Sequence, residues 1–118
     1  MPRLLPKESK LRLSFTLHAK EKMQFYGISE SKIKRILRNP DRVEEGIAPG
    51  TIALMKKSLS KKHPYETWVM CLQENSNFKI ISCWKYPGKS PKGKEIPLPP
   101  EIRGEIEKSL KSFRGTGI

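Results

Sequence analysis

The sequence is poor in cysteine, in acidic residues and in long apolar runs, and each shortage excludes a class of protein. Two cysteines among 118 residues are too few for a disulfide scaffold. No apolar stretch approaches the ~20 residues that span a bilayer, and the first residues lack the apolar core of a signal peptide. There is no zinc-type Cys/His spacing, P-loop or dinucleotide fingerprint. We therefore expect a cytoplasmic protein that uses no cofactor and no metal and has no membrane partner.

The shortage of acids has the strongest consequence for partners. The chain has 24 Lys and Arg against 12 Asp and Glu, so its formal charge is +12. Such an excess repels itself unless it meets a polyanion, and it therefore favours a nucleic-acid partner. A surface charged only for solubility is the alternative, but a balance of Lys and Glu would serve that purpose.

The hydrophobic pattern predicts a single domain, 1–118, with its core in residues 11–113 and flexible ends at 1–9 and 114–118. Apolar residues alternate along 11–17, as in a strand with one buried face. Helical stripes follow at 18–26, 29–38 and 100–113, and further strands are predicted at 42–45, 51–55, 67–72 and 78–86. This order predicts an α+β fold: two N-terminal helices and a C-terminal helix packed on a mostly antiparallel, twisted sheet of about four to five strands.

The two strands predicted at 67–72 and 78–86 are apolar on both faces, so we place them at the centre of the sheet. Phe78, Ile80, Ser82 and Trp84 share one face if the alternation continues without interruption. Cys71 and Cys83 stand among apolar neighbours, and we expect them to be reduced and buried.

The opening helix carries a motif that resembles a known family. It runs His18-Ala19-Lys20-Glu21-Lys22-Met23 and continues to Gly27-Ile28-Ser29; the next helix ends at Asn39-Pro40 and is followed by Val43-Glu44-Glu45-Gly46. This pattern, over about residues 13–87, resembles the bacterial and archaeal family called domain of unknown function 4258. One residue departs from the family's motif: its usual Arg is Lys22 here, so a bidentate contact would become a point-charge contact.

The resemblance implies a RelE-like fold, which the family shares with the RelE and BrnT type of toxin ribonuclease. It also implies a toxin of a toxin-antitoxin system that cleaves RNA without metal by general acid-base catalysis. The expected partners are then RNA, including mRNA on the ribosome, and an acidic antitoxin protein.

Three residues are candidates for catalysis under this hypothesis. His18 has an ordinary pKa suited to proton transfer, Lys22 lies one helical turn later on the same face, and Tyr86 closes the last strand among lysines. Each also has a structural interpretation: His18 as a packed or capping residue, Lys22 as an aliphatic cover over the core, and Tyr86 as the edge of the core.

Basic residues in three segments are candidates for binding phosphates. These segments are the second helix, the loop near residue 60 and the end of the last strand. The predicted nucleic-acid-binding residues are Lys34, Arg38, Lys56, Lys57, Lys61, Lys62, Lys79, Lys85 and Lys89. Two further hypotheses fit the same residues: a module that binds nucleic acid without cutting it, and a protein-interaction module of the same fold.

Overall fold

The computed structural model describes residues 11–47, 49–91, 96–100, 102–105 and 108, which form a five-stranded sheet with helices packed on it. The elements are β1 (Arg12–Phe15), α1 (Leu17–Tyr26), α2 (Glu30–Arg38), β2 (Arg42–Glu45), β3 (Thr51–Lys57), β4 (Tyr65–Glu74) and β5 (Asn77–Pro87). Residues 100, 102–105 and 108 are helical and belong to a third helix, α3. The rest of the helix predicted at 100–113, and both chain ends, lie outside the described residues.

The strand order is β1-β5-β4-β3-β2. β1 pairs with β5 in parallel, and the other neighbouring strands are antiparallel. The α+β class and the mostly antiparallel sheet are therefore confirmed. The RelE-like assignment of this fold stays a prediction.

Both N-terminal helices begin within one residue of the predicted positions and end at the predicted residues. The Thr16 hydroxyl accepts from the Ala19 N–H at 3.0 Å and so caps α1, and Gly27 ends that helix at φ +68°. The alternation of 11–17 also predicts Leu17 on the buried strand face, but this residue starts α1, as the sequence alternatively indicates, and is 74% exposed. No helix of the described residues is both long and apolar enough to cross a membrane.

The sheet is covered on both faces. On one face α1 and α2 bury Ala19, Ile33 and Ile36 against the strands. On the other face Trp68 stacks on Trp84, with ring centroids 6.1 Å apart, and Ile102 of α3 packs in the same cluster. The central position predicted for β4 and β5 is confirmed, and so are Cys71 and Cys83 as free, buried thiols.

A β-bulge reverses the inward alternation of β5. Met70 pairs with Ser82 and Cys71 with Ile80, so Ile81 is the extra residue between two ladder positions. Phe78 and Ile80 consequently face the helices, whereas Trp84 lies in the opposite cluster. The expectation that these residues share one face is wrong, because one inserted residue inverts all that follow it.

Candidate nucleic-acid interface

A groove lined by cations lies between α2 and the end of β3. It has a volume of about 410 Å³. Its walls are Lys32 and Arg35 from α2, Lys56 and Lys57 from β3, the loop residues Ser58, Leu59 and Ser60, and Tyr65 at the start of β4. We call this surface the basic groove.

Helical periodicity places the two α2 cations at the groove. Ile33, Ile36 and Leu37 are fully buried on the core side of the helix. Lys32 and Arg35 stand three residues apart, so they share one side of the helix beside that apolar stripe. The Ser29 hydroxyl accepts from the Lys32 N–H at 3.1 Å and fixes where this helix begins.

Strand register brings two further lysines to the same end of the sheet. Lys56 pairs with Thr67, and Thr67 pairs with Lys85 on its other side. Neighbouring strands lie about 4.8 Å apart, so the two lysines are roughly 10 Å apart across the sheet. Lys85 Nζ also lies 5.0 Å from the centroid of the Tyr65 ring.

The electrostatics of Lys32 show how concentrated this positive charge is. Its pKa lies below the ordinary value, first because of burial and then because Arg35, Lys56 and Lys85 repel its charged form. Asp41 acts in the opposite direction but does not offset the others. A polyanion in the groove would relieve this repulsion.

Asp41 brings a carboxylate to the groove, where two residues of β3 contact it. The Asp41 carboxylate lies 3.6 Å from Lys56 Nζ and accepts the Lys57 backbone N–H at 2.7 Å. Lys56 Nζ also donates to the Asn39 carbonyl at 2.9 Å. These contacts hold Lys56 in place over the end of α2, while the Lys57 side chain extends into solvent.

The structure gathers part of the predicted binding set. Lys56 and Lys57 line the basic groove, Lys61 and Lys89 line an adjoining pocket, and Lys62 is exposed in the same loop. Lys85 belongs to the same cluster, because its Nζ lies over the Tyr65 ring and its charge repels that of Lys32.

Three predicted residues lie elsewhere. Lys34 pairs with Glu30 at 3.3 Å, and neither it nor Arg38 lines the groove. Lys79 lies beside Asn77 and Leu72, six residues from Lys85 and so roughly 20 Å away along β5. The prediction missed Lys32, Arg35 and Tyr65, although the apolar stripe of α2 already indicated which α2 cations flank it.

The proposed catalytic residue His18 lies in a closed cluster at a separate position. Its Nε2 lies 2.8 Å from the Ser82 hydroxyl, and its Nδ1 lies 2.9 Å from a carboxylate oxygen of Glu105 in α3. Lys22 Nζ lies 3.3 Å from the same oxygen. His18 is 8% exposed and Ser82 is fully buried.

Burial keeps the imidazole neutral, and its hydrogen bonds then indicate which ring nitrogen carries the proton. Burial lowers the pKa of His18, nearby Lys22 lowers it further, and Glu105 acts in the opposite direction without reversing the shift. A carboxylate only accepts, so Nδ1 carries the proton and donates to Glu105. The unprotonated Nε2 then accepts from the Ser82 hydroxyl.

This chain of contacts has the order of a Ser-His-acid triad but cannot act as one. Ser82 lies inside β5 with 0% exposure, so no substrate can reach its Oγ. Tyr86 lies four residues further along the strand, roughly 13 Å away, and packs against the Trp68–Trp84 cluster. The structure therefore brings His18 and Lys22 together and leaves Tyr86 apart from them.

Comparisons of this chain with protein-family models, curated proteins and solved structures found no match. The resemblance to domain of unknown function 4258 thus stays a prediction. Among the described residues, no three His, Cys, Asp or Glu side chains are grouped to hold a metal ion.

Proposed function

We propose that this protein binds RNA, with the phosphate backbone lying along the basic groove. The observation that carries the proposal is the concentration of positive charge around Lys32, where Arg35, Lys56 and Lys85 outweigh Asp41. Phosphates entering the groove would neutralise these cations and release counterions. The groove supports a polyanionic strand in general, and the preference for RNA rests on the family resemblance.

The test is the salt dependence of binding. A labelled 20-nucleotide RNA is titrated with the protein from 50 to 300 mM KCl, and log Kd is plotted against log salt. Lys32→Gln and Arg35→Gln are each expected to weaken binding several-fold. For a single strand, each should also reduce the slope by about 0.7. A DNA strand of the same sequence measures the preference for RNA.

Lys79→Gln is the matched control, because it removes the same charge at the far end of β5. It should change affinity and slope less than either groove variant. Equal effects of all three variants would show that net charge alone governs binding and would contradict the groove.

A second function, RNA cleavage, has one supporting observation. His18 and Lys22 lie together, and burial keeps the imidazole neutral, as a general base must be. The same contacts keep His18 from acting on a substrate, because both of its ring nitrogens are already hydrogen-bonded, one to Ser82 and one to Glu105. Cleavage therefore requires Glu105 to leave His18.

Cleavage is tested with RNA and ribosome-bound mRNA in EDTA. Under this second hypothesis Glu105→Ala should cleave faster than the wild type, and adding His18→Ala should abolish cleavage while folding is retained. If none of these proteins cleaves while the wild type binds RNA, the protein is a binding module. A stable complex with an acidic protein and no RNA binding would instead favour the interaction module.

A further inference from the structure

A second pocket adjoins the basic groove and shares residues 57–60 and Tyr65 with it. It has a volume of about 520 Å³ and lies between the loop that joins β3 to β4 and the residues that follow β5. The walls include Leu59, Lys61, Pro64, Tyr65 and Lys89. We call it the loop pocket; Tyr65 lines both it and the groove.

The loop wall of this pocket is held in place. The Ser58 N–H donates to the Tyr65 carbonyl at 2.9 Å, and the Tyr65 N–H donates to the Ser58 hydroxyl at 3.1 Å. The Gly88 N–H donates to the Pro64 carbonyl at 2.8 Å and ties the loop to the end of β5. A pocket preformed in this way costs little ordering entropy when a ligand binds.

The opposite wall is pinned by a buried carboxylate. Glu66 is 2% exposed and accepts from the Ser90 backbone at 3.1 Å, the Ser90 hydroxyl at 2.7 Å and the Trp68 indole at 3.0 Å. The Arg42 guanidinium donates to the Ser90 hydroxyl at 2.7 Å. Residues 88–90 are therefore fixed beside the pocket.

The chemistry of the walls suits a flat, apolar ligand that carries negative charge at its edges. Leu59 is fully exposed, and the Tyr65 ring is half-buried beside Lys85. Lys57, Lys61 and Lys89 have no carboxylate partner among the described residues. Apolar and aromatic side chains bordered by cations are how proteins bind unpaired bases and their phosphates.

The size and position of the pocket limit further which ligands it can bind. Its volume falls in the range of sites that enclose one small molecule. A base inside a duplex has both faces stacked and its edge paired, so it cannot enter without being extruded. An unpaired base can enter while its backbone continues along the groove.

We propose that the loop pocket receives one unpaired nucleobase of a single-stranded RNA whose backbone lies in the basic groove. The base packs on Tyr65 and Leu59, and Lys61 and Lys89 contact the flanking phosphates. This inference rests on the proposed function and adds that the substrate is single-stranded.

The experiment compares a 12-nucleotide RNA with its own duplex at one salt concentration. Tested proteins are the wild type, Leu59→Ser, Tyr65→Ala, Tyr65→Phe and Lys56→Gln. The wild type should bind the single strand at least about tenfold tighter, and Tyr65→Ala should lose about five- to a hundredfold on the single strand. Leu59→Ser should lose several-fold there, with little change on the duplex, and Tyr65→Phe should retain the preference.

The outcomes separate the two proposals. Lys56→Gln should weaken the single strand and the duplex alike, as the loss of a phosphate contact does. Salt-dependent binding with equal affinity for both forms, or with no effect of Leu59→Ser and Tyr65→Ala, would overturn the loop pocket and leave the groove standing. No RNA binding by any variant would overturn both. If circular dichroism shows that Tyr65→Ala is unfolded, Leu59→Ser alone tests the loop pocket, because Leu59 is fully exposed and its substitution should not disturb folding.

Discussion

His18 shows how burial decides the role of a residue. Its spacing from Lys22 was predicted correctly, because both lie on one helix. Its contacts with Ser82 and Glu105 could not be predicted, since they join three segments far apart in the chain. Local periodicity carries no information on such contacts. A histidine that looked available for catalysis therefore links α1, β5 and α3.

The neutral state of His18 makes stability depend on pH. The unfolded chain takes up the proton at the ordinary pKa of 6.5, whereas the folded protein resists it to lower pH. We expect the free energy of unfolding to fall as pH drops from 7.5 through 6.5 to 5.5, by no more than about 1.4 kcal/mol per unit. Urea unfolding of wild type and His18→Gln across this range measures the difference.

His63 provides the control, because it is the other histidine and its side chain is exposed. His63→Gln should keep the wild-type slope, and His18→Gln should flatten it. Stability that rises on acidification over this range would mean that the charged pair with Glu105 dominates.

Two buried hydroxyls in neighbouring strands predict opposite effects of mutation. Thr67 Oγ1 has no hydrogen-bond partner in the described structure, whereas Ser82 Oγ is bonded to His18. Thr67→Val should raise the free energy of unfolding by about 1 kcal/mol, because it removes an unsatisfied polar atom. Ser82→Ala should lower it by about 1 to 2 kcal/mol. Loss of stability in Thr67→Val would show that the hydroxyl is paired in solution.

At the scale of secondary-structure elements, local sequence signals were sufficient to predict where the two N-terminal helices lie. The caps Thr16 and Ser29 and the terminator Gly27 stand where the helices begin and end. Between β4 and β5 the chain turns with Asn75 at φ +58°, a conformation that asparagine adopts more readily than most residues. The bulge at Ile81 was not predictable, because it depends on which residues of β4 lie opposite.

The cap of α2 gives a prediction at this scale. Ser29→Ala removes the acceptor for the Lys32 N–H and should lower the free energy of unfolding by about 1 kcal/mol. Ser31→Ala is the matched control, because Ser31 is exposed within the helix and alanine has the higher helix propensity. Thermal unfolding of both variants checks this; equal destabilisation would contradict the cap.

For the whole molecule, the charge of +12 predicts a polyanionic partner, and the fold brings several of the cations together at the basic groove. The sequence indicated three basic segments. It could not show that α2, β3 and the end of β5 meet at one end of the sheet, because their pairing is set by register. That is why Lys79 was included in the predicted set, whereas Lys32 and Arg35 were omitted although the apolar stripe of α2 indicates that they flank it.

The cations of the basic groove repel one another, so we expect them to lower the stability of the protein in the absence of a ligand. Lys32→Gln removes a cation that three neighbours repel, so it should raise the free energy of unfolding by a few tenths of a kcal/mol at 20 mM salt. The part of the gain that comes from repulsion should vanish at 0.5 M salt, where charges are screened, and the part that comes from burial should remain, so the gain should be smaller than at 20 mM salt. Chemical unfolding at both salt concentrations tests this, with Lys79→Gln as control. A gain of the same size at both salt concentrations would show that repulsion contributes nothing to it.

The parallel pairing of β1 with β5 sets the order in which the chain can fold. Arg12 pairs with Asn77, so β1 has no strand partner until most of the sequence has left the ribosome. At 5–20 residues per second that wait lasts roughly 3 to 13 s. The antiparallel strands β2 to β5, whose partners are adjacent in sequence, can pair first and present the edge on which β1 docks. β1 is thus synthesised before the other four strands, but it is the last of the five that can complete its pairing.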